Sequence, residues 1–332
     1  MQPARLPRVR LAPLPTPLEE APRLRAALGA RCPRILVKRD DLTGLGMGGN
    51  KVRKLEYHLG EAIAQGCDTL VTSGAIQSNH CRVTAAAAAR AGLGASLVLR
   101  PGESEAVQGN LLLDRILDAR IRIAPAPTAA AVDAALQEEM EALRRAGRRP
   151  YLIPKGASTP LGALAYAEAF MELMMQTTDL GAAMDAVVFC TGSGGTHAGL
   201  LAGTRLLQSG VDVVGVGDGA KRSELAPVVA ELIVGLAERC QVSLHVPDEA
   251  ITVLEDYGGR YGVPTPGCVE AIRLAARTEG LILDPVYSGK ALAGLIDLVG
   301  RDRWRADQTV VFWHTGGQPA LFAYADDLGG AR

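Results

Sequence analysis

The sequence predicts an α/β fold, with parallel strands covered by helices on both faces. Three observations carry that expectation. Short apolar runs alternate with longer segments of helical period. Some of those runs are apolar without alternation, Ala-Val-Val-Phe-Cys at 186–190 among them, as a strand buried on both faces requires. Several runs also end in Gly- or Ser-rich turns that open a helix, and in open parallel sheets ligands bind outside those carboxyl ends.

In chain order, strands are expected at 35–38, 69–72, 96–99, 186–190, 211–216, 251–254 and 309–313, where β-branched and apolar residues cluster. Helices are expected at 50–65, 79–91, 129–146, 162–176 and 267–278, with a further small-residue helix at 198–207. The stretch 103–149 reads as a long, charge-rich helical segment with the loosest sequence, and a hinge is expected near 150–165. A chain of 332 residues suits about two domains and can bury a core without disulfides or metals.

Composition narrows the class of function. Hydrophobic residues make up 48% and charged residues 21%, as in a folded globular protein. Lys plus Arg number 35 against 36 Asp plus Glu, a balance that argues against a nucleic-acid partner, which clustered positive charge would serve. The six cysteines are scattered with no C-x-x-C pair, so we expect reduced thiols and no metal site. Prolines interrupt the basic N-terminal stretch around Arg5, Arg8 and Arg10, and no signal-like apolar segment follows. The alanine run 85–89 is closed by Arg90, so no segment reads as a membrane span, and the chain is expected to be cytoplasmic. The 38 glycines raise the question of where so much backbone freedom is used.

Three junctions concentrate chemistry. Thr191-Gly192-Ser193-Gly194-Gly195-Thr196-His197 joins an expected strand to a helix. Its glycines allow close approach of an anion, and N–H groups at the helix start point toward it. It is not a dinucleotide fingerprint, because His197 stands where that pattern needs glycine, and no Lys-Ser/Thr pair makes it a P-loop. A tight turn needing glycine for geometry alone is the bland alternative. In the second junction, Gly48-Gly49 precede a helix with Lys51 as its second or third residue. The helix dipole lowers a lysine's pKa there, and neutral lysine is a nucleophile toward carbonyls. Arg53 and Lys54 read as solvated helix residues. The third, Ser73-Gly74-Ala75-Ile76-Gln77-Ser78-Asn79-His80, offers an N-cap at Ser78 or Asn79, or a pocket for a substrate carboxylate. His80 reads equally as a packed histidine and as a catalytic one.

Together and in this order, these motifs resemble the fold-type-II pyridoxal-phosphate enzymes, in the branch of D-cysteine desulfhydrase and 1-aminocyclopropane-1-carboxylate deaminase. The resemblance runs from Pro15-Thr16-Pro17-Leu18 through Lys38-Arg39-Asp40-Asp41 to His314-Thr315-Gly316-Gly317-Gln318-Pro319-Ala320-Leu321, and Gly-Gly-Asn-Lys-x-Arg-Lys-Leu-Glu and Gln-Ser-Asn-His are its most specific parts. It implies a tryptophan synthase β-like fold of two open, twisted, mostly parallel sheets with helices on both faces. Residues 1–47 and 161–332 would form the larger, cofactor-binding domain and 48–160 the smaller one. It implies pyridoxal 5'-phosphate as cofactor, an amino-acid substrate and a homodimer. By position, Lys51 resembles the lysine that carries the cofactor, and Gly192, Ser193, Gly194, Gly195 and Thr196 its phosphate clamp. Asn79 matches the residue beside the ring oxygen, Ser78 the one at the substrate carboxylate, and Tyr287 and Tyr261 two active-site tyrosines.

Two positions bear on the reaction. The deaminase pattern resembles Tyr-Glu-Gly-Lys with a Leu after the late histidine, whereas Ser288 and Thr315 stand here. A carboxylate would keep the pyridine nitrogen protonated and strengthen the electron sink, while a hydroxyl withdraws less and suffices for a good leaving group. This favours α,β-elimination of D-cysteine to pyruvate, ammonia and hydrogen sulfide. Asp218-Gly219-Ala220-Lys221 looks closer to the deaminase pattern. A lyase for L-cysteate is a further alternative, for which Lys221 and Arg222 would be the cationic donors. A cofactor carrier without turnover is disfavoured by Ser78, Tyr261 and Tyr287, which a carrier does not need.

Overall fold

The computed structural model describes residues 6–102 and 106–329; Arg5 and Glu103 lie outside them. Among the described residues the strands are β1 (Leu18–Glu20), β2 (Arg34–Arg39), β3 (Thr69–Ala75), β4 (Gly94–Arg100), β5 (Arg120–Ile123), β6 (Pro150–Leu152), β7 (Ala186–Thr191), β8 (Asp212–Gly217), β9 (Thr252–Leu254) and β10 (Thr309–His314). They form two sheets. The larger has the order β1-β2-β10-β7-β8-β9 and the smaller β5-β4-β3-β6. Every pairing is parallel except β1 with β2, which closes an edge of the larger sheet.

The helices that cover them are α1 (Pro22–Leu28), α2 (Lys51–Ala64), α3 (Asn79–Ala91), α4 (Gly109–Ile116), α5 (Ala129–Arg145), α6 (Pro160–Asp179), α7 (Gly195–Leu207), α8 (Arg222–Cys240), α9 (Pro266–Glu279) and α10 (Ser288–Gly300), followed by short turns near the C-terminus. The two-residue period of β7 shows why its sequence is apolar throughout. Val187 and Phe189 enter a core shared with Phe170 and Leu173 of α6 and Leu200 of α7, while Val188 and Cys190 enter one shared with Ile272 of α9 and Leu292 of α10. The smaller sheet repeats the pattern. Leu70 packs with Val52 and Leu55 of α2, and its neighbour Val71 with Leu136 and Met140 of α5.

All seven expected strands are present, and α2, α3, α5, α6, α7 and α9 lie where helical period placed them. The stretch 103–149 departs from its reading as one loose helical segment: its described residues hold α4, the edge strand β5 and then α5. The strand Arg120-Ile121-Arg122-Ile123 alternates charged and apolar residues over only four positions, too few for its period to stand out. Three of these helices were not foreseen: α1, which is short, and α8 and α10. Pro227 and Gly235 disguise α8, and α10 is apolar over nearly its whole length, so neither shows a clean polar face. Among the described residues no helix is long and apolar enough to cross a membrane.

Candidate active site

The carboxyl ends of β3, β7, β8 and β10 surround a cavity of about 280 Å³. Backbone contacts set its geometry. Gly49 and Gly316 both have positive φ, +114° and +92°. A Cβ on Gly316 would sit 2.6 Å from the Gly49 Cα, so only glycine permits this approach. The contact is sealed by the Asn50 N–H, which donates to the Thr315 carbonyl at 2.9 Å. Lys51 is therefore the first residue of α2, one place nearer the helix start than expected, and it shares the cavity with Thr315. Burial pushes the Lys51 ammonium down to about 8, against the pull of Asp218 and Cys190 and with a push from Lys155.

Arg53 and Lys54 are buried, which corrects their reading as solvated residues. The Arg53 guanidinium donates to Asp40 through Nε (3.1 and 3.0 Å) and Nη2 (2.9 Å), and to Glu172 through Nη1 (3.0 Å) and Nη2 (2.8 Å). Tyr166 and Thr16 donate to the same Asp40 carboxylate (2.6 and 2.9 Å). Despite burial, Asp40 is held below the usual carboxylate range, chiefly by Arg53. Lys54 lies under the glycine turn, where burial drives its ammonium far below its ordinary pKa. The signal for both was the spacing. From Lys51 the helix turns about 100° per residue, so positions two and three along face inward whenever α2 is covered on several sides, as it is here.

The glycine turn sits between β7 and α7 with Gly194 at φ +81°. A Cβ on Gly195 would lie 2.8 Å from Ser158 Oγ and 2.9 Å from Lys54 Nζ. Ser158 donates to Ser193 Oγ (2.7 Å) and accepts from the Gly195 N–H (3.2 Å), and Asn50 donates to Thr196 Oγ1 (3.2 Å). The turn is thus a braced cradle at a helix N-terminus with the Lys54 amine beneath it, and Gly192, Ser193, Gly194 and Thr196 line the cavity.

Ser78 caps α3, accepting from the Cys81 N–H at 3.2 Å, and also lines the cavity, so both readings of it coexist. Asn79 accepts from Asn110 Nδ2 at 2.9 Å and lines it too. His80 Nε2 is paired with Thr72 Oγ1 at 2.8 Å, and burial lowers its pKa so far that it is neutral. On the opposite wall the hydroxyls of Tyr261 and Tyr287 are 2.8 Å apart. Burial pushes Tyr261 up to about 12 and Tyr287 well above its ordinary value, so both hold their protons.

Of the two hydroxyl positions, only Thr315 faces the cavity. Ser288 is buried away from it, donating to Asp284 Oδ1 (2.6 Å) and accepting the Asp284 N–H (2.8 Å), which corrects its pairing with Thr315 as a ring-nitrogen partner. Asp218 was unplaced by sequence reasoning. It lines the cavity against Gly192, whose missing Cβ leaves room for the carboxylate, and burial raises its pKa. Lys221 and Arg222 do not line the cavity, and Arg222 is engaged at the surface with Asp248 and the Ile251 carbonyl. The cations that do line it, besides Lys51, are Arg100 and Lys155.

These residues fit pyridoxal phosphate. The braced turn and Lys54 suit a phosphate, the depressed Lys51 amine suits an aldehyde, and Thr315 offers a hydroxyl to a ring nitrogen. Comparison with known proteins agrees. A family model described as pyridoxal-phosphate dependent enzyme matches residues 9–316. The chain is 43% identical over 326 residues to a D-cysteine desulfhydrase of Salmonella typhi, covering 96% of this chain and 97% of that one. It is 41% identical over 326 residues to a putative 1-aminocyclopropane-1-carboxylate deaminase of Pyrococcus abyssi, covering 98% and 96%. The crystal structure of an ACC deaminase homologue superposes with a TM-score of 0.89 at 40% identity, covering 98% of this chain and 96% of the other. A fungal L-serine ammonia-lyase from Rhizomucor miehei, 18% identical with a TM-score of 0.69, shares the fold.

Two outcomes follow from this geometry. Replacing Arg53 with Met strands the Asp40 carboxylate in the interior, and chemical denaturation at neutral pH should show a loss of about 3–5 kcal/mol. Because the Asp40 pKa is depressed on folding, the stability it contributes is present above the unfolded carboxylate range and disappears as pH falls through its lower folded value. In the cofactor-free protein, Lys51 becomes the reactive neutral amine as pH rises through about 8, not its ordinary 10.5. Acylation followed by peptide mass spectrometry should therefore show Lys51 labelling with a midpoint near that value.

Proposed function

The chain belongs to the pyridoxal-phosphate dependent enzyme family and is a lyase that uses that cofactor; we propose that its reaction is the α,β-elimination of D-cysteine to pyruvate, ammonia and hydrogen sulfide. The observation that carries this reading is that the Lys51 amine and the Thr315 hydroxyl line one cavity, where the deaminase pattern has Leu in place of Thr315. The relatives named as desulfhydrases support it at 43% identity. In this reading residues 48–160 form the smaller unit, which closes on the larger one over the substrate.

Bound pyridoxal phosphate supplies an electron sink for the pair left on Cα when its proton departs. The chain's own residues do the rest. The glycine turn and Lys54 would hold the phosphate, and Lys51 would hold the cofactor aldehyde. Lys51, partly neutral at physiological pH, then removes the Cα proton. Ser78, the N-cap of α3, binds the substrate carboxylate and fixes which Cα bond faces Lys51, while Asn79 would lie beside the cofactor's ring oxygen. Tyr287, protonated and hydrogen-bonded to Tyr261, gives a proton to the departing sulfur, so that it leaves as sulfide and not as a buried thiolate. Water then hydrolyses the released unsaturated amine to pyruvate and ammonia.

A second reading, an amino acid whose β-substituent is a sulfonate, is favoured by one observation. Arg100 and Lys155 both line the cavity and approach the ring of Tyr261, at 5.4 and 5.9 Å from its centroid. Neither makes an ion pair with a described residue.

Purified holoenzyme supplied with D-cysteine should release pyruvate and sulfide in equal amounts, and Lys51→Ala should lose the visible absorbance of the lysine-bound cofactor and about 10²–10⁴-fold in turnover. Absence of both products would falsify the D-cysteine reading. Parallel assays with L-cysteine, L-cysteate and 1-aminocyclopropane-1-carboxylate, read as sulfide, sulfite and 2-oxobutyrate, then name the substrate. If sulfite dominates, Lys155→Met should raise KM for L-cysteate about tenfold or more, the worth of a charge-assisted hydrogen bond, and leave KM for D-cysteine unchanged.

A further inference from the structure

Lys290 is a fully buried lysine near the start of α10 that takes no part in the chemistry above. Its ammonium donates to three backbone carbonyls, Asp218 (3.1 Å), Gly258 (2.5 Å) and Arg260 (3.1 Å). An ammonium has three N–H donors, and all three are used. We propose that Lys290 is a positioning residue, a cation tethered in a cage of three carbonyls, which holds the Asp218 turn and the Tyr261 loop against the N-terminus of α10.

Its setting is otherwise unfavourable to a positive charge. Lys290 is the third residue of α10, at the positive end of the helix dipole, and it makes no ion pair with a described residue. The acidic groups that face it are Asp218 and Asp284, with the thiols of Cys190 and Cys268, and burial still leaves its pKa below the ordinary lysine value. The carbonyls are what stabilise it, and they in turn need a cation. The loops at 217–219 and 258–261 pack backbone against backbone: a Cβ on Gly219 would lie 2.7 Å from the Tyr261 nitrogen, and one on Gly258 2.7 Å from the Gly219 nitrogen. Three carbonyl dipoles converge there, an arrangement that binds a monovalent cation.

The clamp bears directly on the site. Tyr261 follows Arg260, Tyr287 precedes Lys290 by three residues, and their hydroxyls meet at 2.8 Å. Asp218, whose carbonyl is the third acceptor, lines the cavity with its side chain. One ammonium thus sets the distance between two tyrosines that arrive from different loops. The role in turnover rests on the elimination reading, in which Tyr287 protonates the leaving group; the cage itself does not.

The test is Lys290→Ala, which empties the cage. With cofactor loaded, turnover should fall about tenfold or more with a smaller change in KM, and ammonium or potassium chloride should restore turnover and raise Tm. Tetramethylammonium chloride, at equal ionic strength but too large for the cage, should do neither, and wild-type Tm should not respond to the choice of cation. In a Tyr261→Phe background the same substitution should add little further loss. Wild-type turnover in Lys290→Ala, a loss indifferent to cation size, or full additivity with Tyr261→Phe overturns the proposal. If Lys290→Ala folds only with ammonium or potassium present, the cage is supported. If it folds in neither, Lys290→Met, which keeps the stem and fills the cage, must lose turnover with an unchanged circular dichroism spectrum, and wild-type turnover there overturns the proposal. Should the wild-type enzyme eliminate from no amino acid, cation-selective melting of Lys290→Ala still reads the cage, and that failure falls on the elimination reading alone.

Discussion

The guanidinium of Arg53 lies between Asp40, which follows β2 of the larger sheet, and Glu172 on α6, and it belongs to the helix that begins with Lys51. It spends five hydrogen bonds on those two carboxylates. A planar fork with five donors can satisfy two acids at once, which a lysine cannot. Around it Lys38 bonds Glu172 and Gln176, and Tyr166 and Thr16 complete Asp40. Because α2 also packs on the smaller sheet through Val52 and Leu55, this one side chain ties the two sheets together and fixes the rotation of α2 about its axis. The direction in which Lys51 leaves that helix depends on it.

Around this anchor the site is assembled mostly from main chain. Glycines let backbones touch at 49 and 316, and let the turn at 194–195 accept Ser158 and Lys54 at distances no Cβ would allow. Side chains can sample rotamers, but a backbone contact of that kind has one geometry. Lys51, the glycine turn and Thr315 are therefore preset relative to one another, which is the condition under which positioning lowers a barrier.

Electrostatics follow the same economy. Burial lowers Lys51 and Lys54 and raises Asp218, Tyr261 and Tyr287, each toward its uncharged form. Arg100 and Lys155 line the same cavity, over the ring of Tyr261.

By itself the sequence determined the fold class, because a strand covered on both faces must be continuously apolar and a helix must show its period. Seven strands and the main helices were legible on those grounds. Its resemblance to a known family also marked Lys51, Ser78, Asn79, the turn at 192–196, Tyr261, Tyr287 and Thr315, and the structure brings all of these but Gly195 to the lining of a single cavity. Only tertiary structure decided which polar residues are buried and what they meet. Arg53, Lys54 and Lys290 look in sequence like any surface cation, and Ser288 looks like a partner of Thr315 until Asp284 is seen to hold its hydroxyl. Arg100 carries no motif at all, and the segment that opens at Asp218 gave no hint that its carboxylate enters the cavity. Their roles come from contacts between residues tens to hundreds of positions apart, and a partner at that separation leaves no periodic trace along the chain.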